Sequence, residues 1–150
     1  MSLSGQALVI LIFAQVLLAT GMVALIWCVQ IVIYPQFRDL GEPYWHDYHQ
    51  NYMRRFACVV VPMMLAEIAL AAFSLLVISD RTLPIIGFLL VGALWGSTGL
   101  IQVPLHRELS LGFSLDIHRK LIATNWIRTV LWTVRWAFLT WWLIQVRTAT

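Results

Sequence analysis

Charged side chains are scarce in this sequence. Asp, Glu, Lys and Arg make up 11% of its 150 residues, whereas a soluble domain carries about 25%. Hydrophobic residues make up 61%, so the composition excludes a soluble domain and indicates an integral membrane protein in contact with the lipid bilayer. The net charge of +3 comes without a basic run, and we therefore expect no nucleic acid partner.

Cysteines are few, and the common catalytic motifs are lacking. The chain has 2 cysteines, Cys28 and Cys58, each inside an apolar stretch and in neither a redox nor a zinc-ligand spacing, which argues against disulfide chemistry. The sequence contains no Gly-rich phosphate loop, no Gly-x-Ser-x-Gly elbow and no His-Glu-x-x-His, so it lacks the signatures of phosphate-loop enzymes, α/β-hydrolases and zinc proteases. Its size disfavours a pore or transporter unless several copies assemble.

Long apolar runs dominate the chain. A helix needs about 20 apolar residues to cross the hydrocarbon core of a bilayer. The first run is too long for a signal peptide and has no charged segment before it, so we retain it as a membrane span. We predict an all-α fold, an integral membrane four-helix bundle made of two helical hairpins in a single transmembrane domain. Its four spans are residues 6–33, 56–78, 83–105 and 121–146.

The connections between the spans differ in length. Residues 35–55 are expected to form a short amphipathic helix between the first two spans. Residues 107–120 form the second long connection, with a helix start at Ser114. Between the second and third spans, residues 79–82 predict a tight hairpin, with Pro84 in the first turn of the next helix.

Basic residues are concentrated at one end of the predicted bundle. Arg81 and Arg147 lie at the opposite end. By the positive-inside rule the two long connections are cytoplasmic and both termini face outward, and we expect a bacterial inner membrane protein. The basic residues in or beside the long connections are Arg38, Arg54, Arg55, Arg107, Arg119, Lys120 and Arg128.

The two halves of the chain share a short pattern. Residues 30–41 and 102–112 each run from a Gln at a helix end, through a Pro and a basic residue, to a Gly. This pattern suggests two hairpins related by a pseudo-twofold axis along the membrane normal.

One carboxylate is predicted to lie deep in the membrane. Glu67 is roughly 16 Å beyond Phe56 along a helix that rises about 1.5 Å per residue. Arg128 and Arg135 of the fourth span bracket it in depth. Because a bare charge in a bilayer is costly, Glu67 is expected to be either protonated or paired with one of these arginines. Both a structural role and a catalytic or ligand-binding role remain open for it.

Polar residues share one face on three of the predicted helices, which predicts a pocket at the cytoplasmic half of the bundle. The fourth span carries Asn125, Arg128, Trp132, Arg135 and Trp142, the third carries Trp95, Gly99, Gln102 and His106, and the first carries Gln30 and Tyr34.

Roles in this pocket follow from the chemistry of each side chain. His106 is the expected general base, because imidazole titrates near neutral pH. Arg128 and Asn125 complete the predicted catalytic group and, with Gln102, hold oxygen functions. The alternative is that these residues only fasten helices together. The predicted substrate-binding residues are Gln102, Trp95, Trp132, Gln30, Tyr34 and Glu67.

Metal binding is the weaker alternative for the histidines. His46 and His49 lie on one helical face, and His106 is expected in the same layer, so iron or zinc is stereochemically feasible. Solvated histidines outside the hydrocarbon are the competing interpretation. The sequence identifies no cofactor.

Two segments carry a resemblance to a known family. The segments QVPLH, residues 102–106, and TNWIRT, residues 124–129, resemble the small four-helix membrane proteins called anthrone oxygenase-like, a family largely of unknown function. That family has Asn-x-Pro-Leu-Asn at the end of the third span and Trp-Asn-x-x-Arg-Thr at the start of the fourth. The shared residues are Pro104, Leu105, Asn125, Arg128 and Thr129, and the departures are Gln102, His106 and the position of Trp126.

These observations lead to two functional hypotheses. The first is an oxygenase-like or binding protein for a planar, lipid-soluble molecule, such as an aromatic polyketide or a quinone, and the resemblance implies oxygenation of polycyclic aromatics for a few family members. The second is a non-catalytic accessory subunit or scaffold whose polar residues bind a partner membrane subunit or a second copy of the chain.

The distribution of basic residues predicts the result of cysteine labelling on intact cells. A cysteine introduced at Ser2 should react with a membrane-impermeant reagent, and a cysteine introduced at Ser114 should not, because the long connections are predicted to be cytoplasmic. Labelling at position 114 alone would invert the topology.

Overall fold

The computed structural model describes residues 4–40 and 42–149, and in these ranges the ordered elements are all helices. Ser2, the outer labelling position, lies outside the described residues. The predicted all-α class is confirmed. The four long helices are α1, Gly5–Asp39; α2, Glu42–Val77; α3, Thr82–Leu111; and α4, Leu115–Ala149.

The long connections are shorter than the sequence suggests. Residues 35–55 do not form a separate amphipathic helix, because α1 continues to Asp39 and α2 begins at Glu42. Charged and amphipathic residues extend the membrane helices by several turns, since a polar exposed side does not interrupt a helix. Ser114 does precede α4, and its carbonyl accepts the backbone N–H of His118 at 2.9 Å.

Two wide turns allow α1 and α3 to continue past a proline. Residues Val29–Ile33 and Thr98–Gln102 each form a π-helical turn. Each turn ends shortly before a proline, Pro35 or Pro104, which has no N–H to donate to the carbonyl four residues earlier. These turns fall in or beside the two similar segments of the sequence. Each contains a glutamine that is buried in the bundle.

The connection between α2 and α3 is the tight hairpin that the sequence predicts. The backbone N–H of Thr82 donates to Asp80 Oδ1 at 3.0 Å. This hydrogen bond holds the pKa of the exposed Asp80 carboxyl below its ordinary value. Pro84 lies in the first turn of α3, where its missing N–H costs nothing.

Neighbouring helices are antiparallel, and α4 packs back against α1. Gln30 near the end of α1 reaches Ile122 near the start of α4, whereas Gln15 of α1 reaches Arg135 further along α4. The larger core cluster lies at the end of the bundle that holds Tyr34 and Phe37. The helices therefore form a closed ring in which each borders two others.

The outer surface of the bundle is strongly apolar. In the described part of the chain, α1, α2 and α3 are long and apolar enough to cross a membrane. The fourth predicted span, residues 121–146, does not meet this criterion. It contains Arg128 and Arg135, which lower its mean hydropathy.

A buried ion pair joins α2 to α4. Arg135 Nε lies 3.1 Å from Glu67 Oε1, and both side chains are excluded from the surface. The indole N–H of Trp132 donates to Glu67 Oε2 at 2.9 Å. Of the two arginines expected near Glu67, the structure therefore pairs it with Arg135. Both carboxylate oxygens of Glu67 accept a hydrogen bond.

The remaining donors of Arg135 connect the other two helices. Its Nη1 donates to the carbonyl of Gly87 in α3 at 3.0 Å, and its Nη2 donates to Gln15 Oε1 in α1 at 3.4 Å. Gln15 in turn donates to Ser74 Oγ of α2 at 3.1 Å. One guanidinium thus holds all four helices together, with its charge balanced by a single carboxylate.

Breaking this pair should destabilise the bundle. Arg135→Met leaves a buried carboxylate without its cation, which typically costs about 3–5 kcal/mol, and Glu67→Gln should also destabilise strongly. The double variant Glu67→Gln/Arg135→Met should recover part of the loss because no net charge remains buried. Thermal unfolding of the detergent-solubilised protein measures the effects.

The matched control is Arg38→Met, which removes an exposed arginine and should change the unfolding temperature little. Equal, small shifts for Arg38→Met and Arg135→Met would contradict a stabilising role for the ion pair.

Candidate functional site

A cavity of about 170 Å³ lies between α2 and α3, near the end of the bundle that holds the larger core cluster. Its wall is mostly apolar, and α1 and α4 contribute one residue each. The lining residues are Tyr34, Met53, Phe56, Ala57, Val60, Val61, Met64, Thr98, Gln102, Val103, His106 and Arg128.

Polar side chains line part of this cavity. Tyr34 comes from α1, Gln102 and His106 from α3, and Arg128 from α4. All four are predicted site residues, so the structure brings together side chains that are far apart in the sequence. Tyr34 is 1% exposed and Arg128 is 4% exposed, so access to them is through the cavity.

Arg128 is a buried cation beside the cavity. The ion pairs recorded for the described residues are Arg119–Asp116 and Arg135–Glu67, and Arg128 is in neither. Its Nε has no hydrogen-bond partner. The guanidinium carbon lies 5.2 Å from the centre of the Trp132 ring, a cation–π contact that supports the charge without neutralising it.

Other polar atoms at the cavity also lack partners. Within residues 4–40 and 42–149, Gln102 Oε1 and Thr98 Oγ1 are buried and accept no hydrogen bond from the protein. The amide nitrogen of Gln102 is occupied, since it donates to Thr124 Oγ1 at 3.1 Å. Two residues of the cavity lining therefore keep a buried polar atom without a partner, an acceptor on Gln102 and a donor on Arg128.

A chain of hydrogen bonds leads away from the cavity. Tyr34 Oη lies 2.8 Å from His106 Nε2, and His106 Nδ1 lies 3.2 Å from His49 Nε2. His49 Nδ1 lies 3.2 Å from Ser110 Oγ. The hydroxyl of Ser110 donates to the backbone carbonyl of His106 at 2.9 Å. Three helices contribute to this chain.

Aromatic rings enclose the hydrogen-bonded histidines. Phe37 is fully buried and packs edge-on against His49 and Tyr52. The ring of Trp45 stacks on His49 with centroids 4.9 Å apart. His118 of α4 contacts the backbone carbonyl of Tyr34 at 2.7 Å, which fixes the end of α1. These contacts keep water away from the two histidines in the middle of the hydrogen-bonded chain.

Sequence reasoning did not assign Ser110, Tyr52 or Trp45 to the site, and it placed His49 in the connection that caps the pocket, as a metal ligand or a solvated side chain. Their contacts arise because α2 starts at Glu42 and carries His49 alongside the last turns of α3. The hydrophobic pattern gives no signal for this pairing. This pairing could have been anticipated only by predicting that α2 starts as early as Glu42.

The other predicted site residues lie outside the cavity lining. Asn125 Nδ2 donates to Gln30 Oε1 at 2.7 Å between α1 and α4, behind the cavity. The carboxylate of Glu67 is engaged in its ion pair with Arg135. Trp132 contacts both that carboxylate and Arg128. Trp95 packs against the larger core cluster.

The three histidines proposed as metal ligands do not converge. His49 and His106 are in contact, whereas His46 is exposed and hydrogen-bonded to Gln50 at 2.8 Å. Among the described residues, no three His, Cys, Asp or Glu side chains are arranged to hold a metal ion.

Of the residues that carry the resemblance to the anthrone oxygenase-like family, Arg128 alone is among those lining the cavity. Comparison of the chain with protein-family models, with curated proteins and with solved structures finds no match.

Proposed function

We infer that the chain is a four-span integral membrane protein that binds the oxygen-bearing ring of a lipid-soluble molecule in the cavity between α2 and α3. The proposal depends on one observation. Arg128 is a buried cation without a carboxylate partner, and it lies beside an otherwise mostly apolar cavity. A buried charge of this kind is costly unless something pairs with it. A ligand oxygen supplies that partner.

The exposed side of α4 supports a fourth span. The two arginines within residues 121–146, Arg128 and Arg135, are both buried, so the low mean hydropathy of this segment reflects its inner face. From residue 123 to residue 144 every exposed side chain is uncharged and apolar or aromatic. These side chains are Ala123, Trp126, Ile127, Val130, Val134, Trp136, Ala137, Trp141 and Ile144.

Tryptophan and threonine contacts also fit a lipid environment. The exposed Trp136 donates its indole N–H to Thr20 Oγ1 at 2.9 Å, and Trp27 donates to Thr133 Oγ1 at 3.2 Å. Both threonine hydroxyls in turn donate to the backbone carbonyl four residues earlier. These four polar groups on the outside of the bundle are thus satisfied by the protein, as hydrocarbon surroundings require.

The charge pattern supports the proposed orientation. Charged residues flank the apolar surface, and the larger basic group lies at the end of the bundle that contains the cavity. We therefore place that end in the cytoplasm of a bacterial cell and both termini outside.

The cavity is open toward the side of the bundle where lipid would lie. Val61 of α2 and Val103 of α3 both line it, and they are 46% and 53% exposed. Because the residues around them are apolar, the ligand enters from the bilayer and can leave an apolar tail between α2 and α3.

The cavity volume limits the part of the ligand that is enclosed. An engineered apolar cavity of about 150 Å³ holds benzene, so about 170 Å³ holds one substituted six-membered ring. This favours the head group of a quinone or phenol over a fully enclosed tricyclic anthrone. Arg128 would donate to a carbonyl or phenolate oxygen, and Gln102 Oε1 would accept from a hydroxyl.

The second candidate function is a non-catalytic accessory subunit. The hydrogen-bonded network around Glu67 favours this hypothesis, but only for the part of the bundle that contains Glu67. There the polar groups pair with one another, as helix fastening requires. At the cavity Arg128 Nε, Gln102 Oε1 and Thr98 Oγ1 are left unpaired. Unsatisfied groups around an accessible space fit ligand binding better than a purely structural role.

Binding of tetramethyl-1,4-benzoquinone to the detergent-solubilised protein tests the proposal. Arg128→Met should weaken its binding about 10-fold or more, since a hydrogen bond to a charged group contributes about 1.5–3 kcal/mol. 1,2,4,5-Tetramethylbenzene has the same carbon skeleton without the oxygens and should bind both proteins similarly. Val61→Trp fills the cavity mouth and should weaken binding of both compounds, whereas the exposed Leu65→Trp should not.

Circular dichroism establishes that each variant is folded. Quinone affinity that is unchanged in both Arg128→Met and Val61→Trp would contradict the proposed site. If Arg128→Met does not fold, the comparison of Val61→Trp with Leu65→Trp decides the question.

A further inference from the structure

The hydroxyl of Ser110 fixes the direction of the hydrogen-bonded chain behind the cavity. A serine hydroxyl has a single proton, and Ser110 donates it to the carbonyl oxygen of His106 at 2.9 Å. At its 3.2 Å contact with His49 Nδ1, Ser110 must therefore accept. His49 consequently carries its proton on Nδ1.

The protonation of the other two groups follows in sequence. A neutral His49 with a proton on Nδ1 has a bare Nε2, so it accepts from His106 Nδ1 across 3.2 Å. His106 then has a bare Nε2, which accepts the hydroxyl proton of Tyr34 across 2.8 Å. Every donor in the chain points away from the cavity.

The two ends of the chain lie in different surroundings. Tyr34 lines the cavity, and its hydroxyl lies beside Arg128 and Tyr52. Ser110 is half-buried in the last turns of α3, beside the exposed Leu111 and Gly112. The chain thus joins a lipid-accessible cavity to the polar end of the bundle.

We propose that Tyr34, His106, His49 and Ser110 form a proton relay between a hydroxyl group bound in the cavity and water at the end of α3. The proposal rests on the proposed function and narrows its ligand to one with an ionisable hydroxyl, such as a phenol or hydroquinone. Imidazole suits a relay because it can accept a proton on one nitrogen while it releases a proton from the other.

The proton balance of the relay is complete. The O–H bond of the ligand breaks and its proton passes to Tyr34 Oη, while the Tyr34 proton moves to His106 Nε2. The Nδ1 proton of His106 moves to His49 Nε2, the Nδ1 proton of His49 moves to Ser110, and the Ser110 proton leaves to water. Every relay group ends neutral, and the ligand becomes an oxyanion beside Arg128. The reverse sequence returns a proton and restores the starting tautomers.

Charged and titratable groups beside the hydrogen-bonded chain come from α2 and α4, and His118 of α4 contacts the backbone carbonyl of Tyr34. His46 lies near His49 on α2, and Arg128 of α4 and Tyr52 of α2 lie near Tyr34. The positive charge of Arg128 favours a neutral chain and an anionic ligand. Proton release is therefore assisted at the cavity end.

The experiment uses 4-nitrophenol, whose phenol and phenolate forms absorb differently in the visible range. The full-length protein in detergent is loaded with the probe, and stopped-flow pH jumps measure how fast the bound phenol ionises. His49→Gln retains a donor and an acceptor but cannot exchange them, so it should slow ionisation about 100-fold, the lower end of what positioned proton transfer contributes. The pKa of the bound probe, from equilibrium titration, should change little.

His46→Gln is the matched control. It makes the same substitution one turn earlier on α2, at an exposed position, and should leave the ionisation rate unchanged. His49→Ala should be slow, and added imidazole should restore part of its rate. A merely structural role for His49 predicts no such rescue.

Two outcomes would overturn the relay. The first is bound probe that ionises as fast in His49→Gln as in the unmodified protein. If His49→Gln does not fold, an unchanged rate in Ser110→Ala carries the same meaning. The second is failure of the unmodified protein to bind 4-nitrophenol, which also contradicts the proposed function, whereas normal binding with unaffected rates contradicts the relay alone.

Discussion

The structure depends on an imbalance between buried arginines and buried carboxylates. Arg128 and Arg135 lie on the same inner face of α4, about 10 Å apart along the helix axis. Among the buried residues that are described, Glu67 is the only carboxylate. Since it pairs with Arg135, Arg128 retains an unbalanced charge. The pairing that stabilises one half of the bundle therefore leaves a cation without a carboxylate partner in the other half.

Trp132 connects these two environments. Its indole N–H donates to Glu67 Oε2, and its ring lies under the guanidinium of Arg128. The rotamer of this one side chain is therefore constrained by the ion pair on one side and by the cation on the other. This arrangement holds Arg128 in place without neutralising it, and a rigid first contact is what selective binding of a small ring requires.

Much of the architecture follows from the sequence, because it depends on local periodicity. Apolar runs predict the helices, and the spacing of Asn125, Arg128, Trp132 and Arg135 correctly predicts that these side chains share the buried face of α4. Depth alone does not select Arg135 over Arg128 as the partner of Glu67, because both bracket it. That choice depends on how the helices are rotated about their axes, which only the packed structure determines.

The helix boundaries were predicted less well than the helices, and the physical reason is local. Pro35 and Pro104 suggest that α1 and α3 end near them, yet each helix widens into a π turn beforehand and continues. The widening also contains Gln30 and Gln102, both of which point into the bundle. A proline is thus a poor boundary signal where the preceding turn can relax.

The hydrogen-bonded histidines of the site are brought together by the extension of the helices beyond the apolar surface. If residues 35–55 formed a separate short helix, as the amphipathic pattern suggests, nothing would hold His49 against His106. Because α2 is continuous from Glu42, it carries His49 to within 3.2 Å of His106, at the level where apolar and polar surfaces meet. In the proposed relay, the proton of the ligand passes through these two histidines on its way to water. The continuity of α2 therefore places His49 between His106 and Ser110, the two residues of α3 that flank it in the proposed relay.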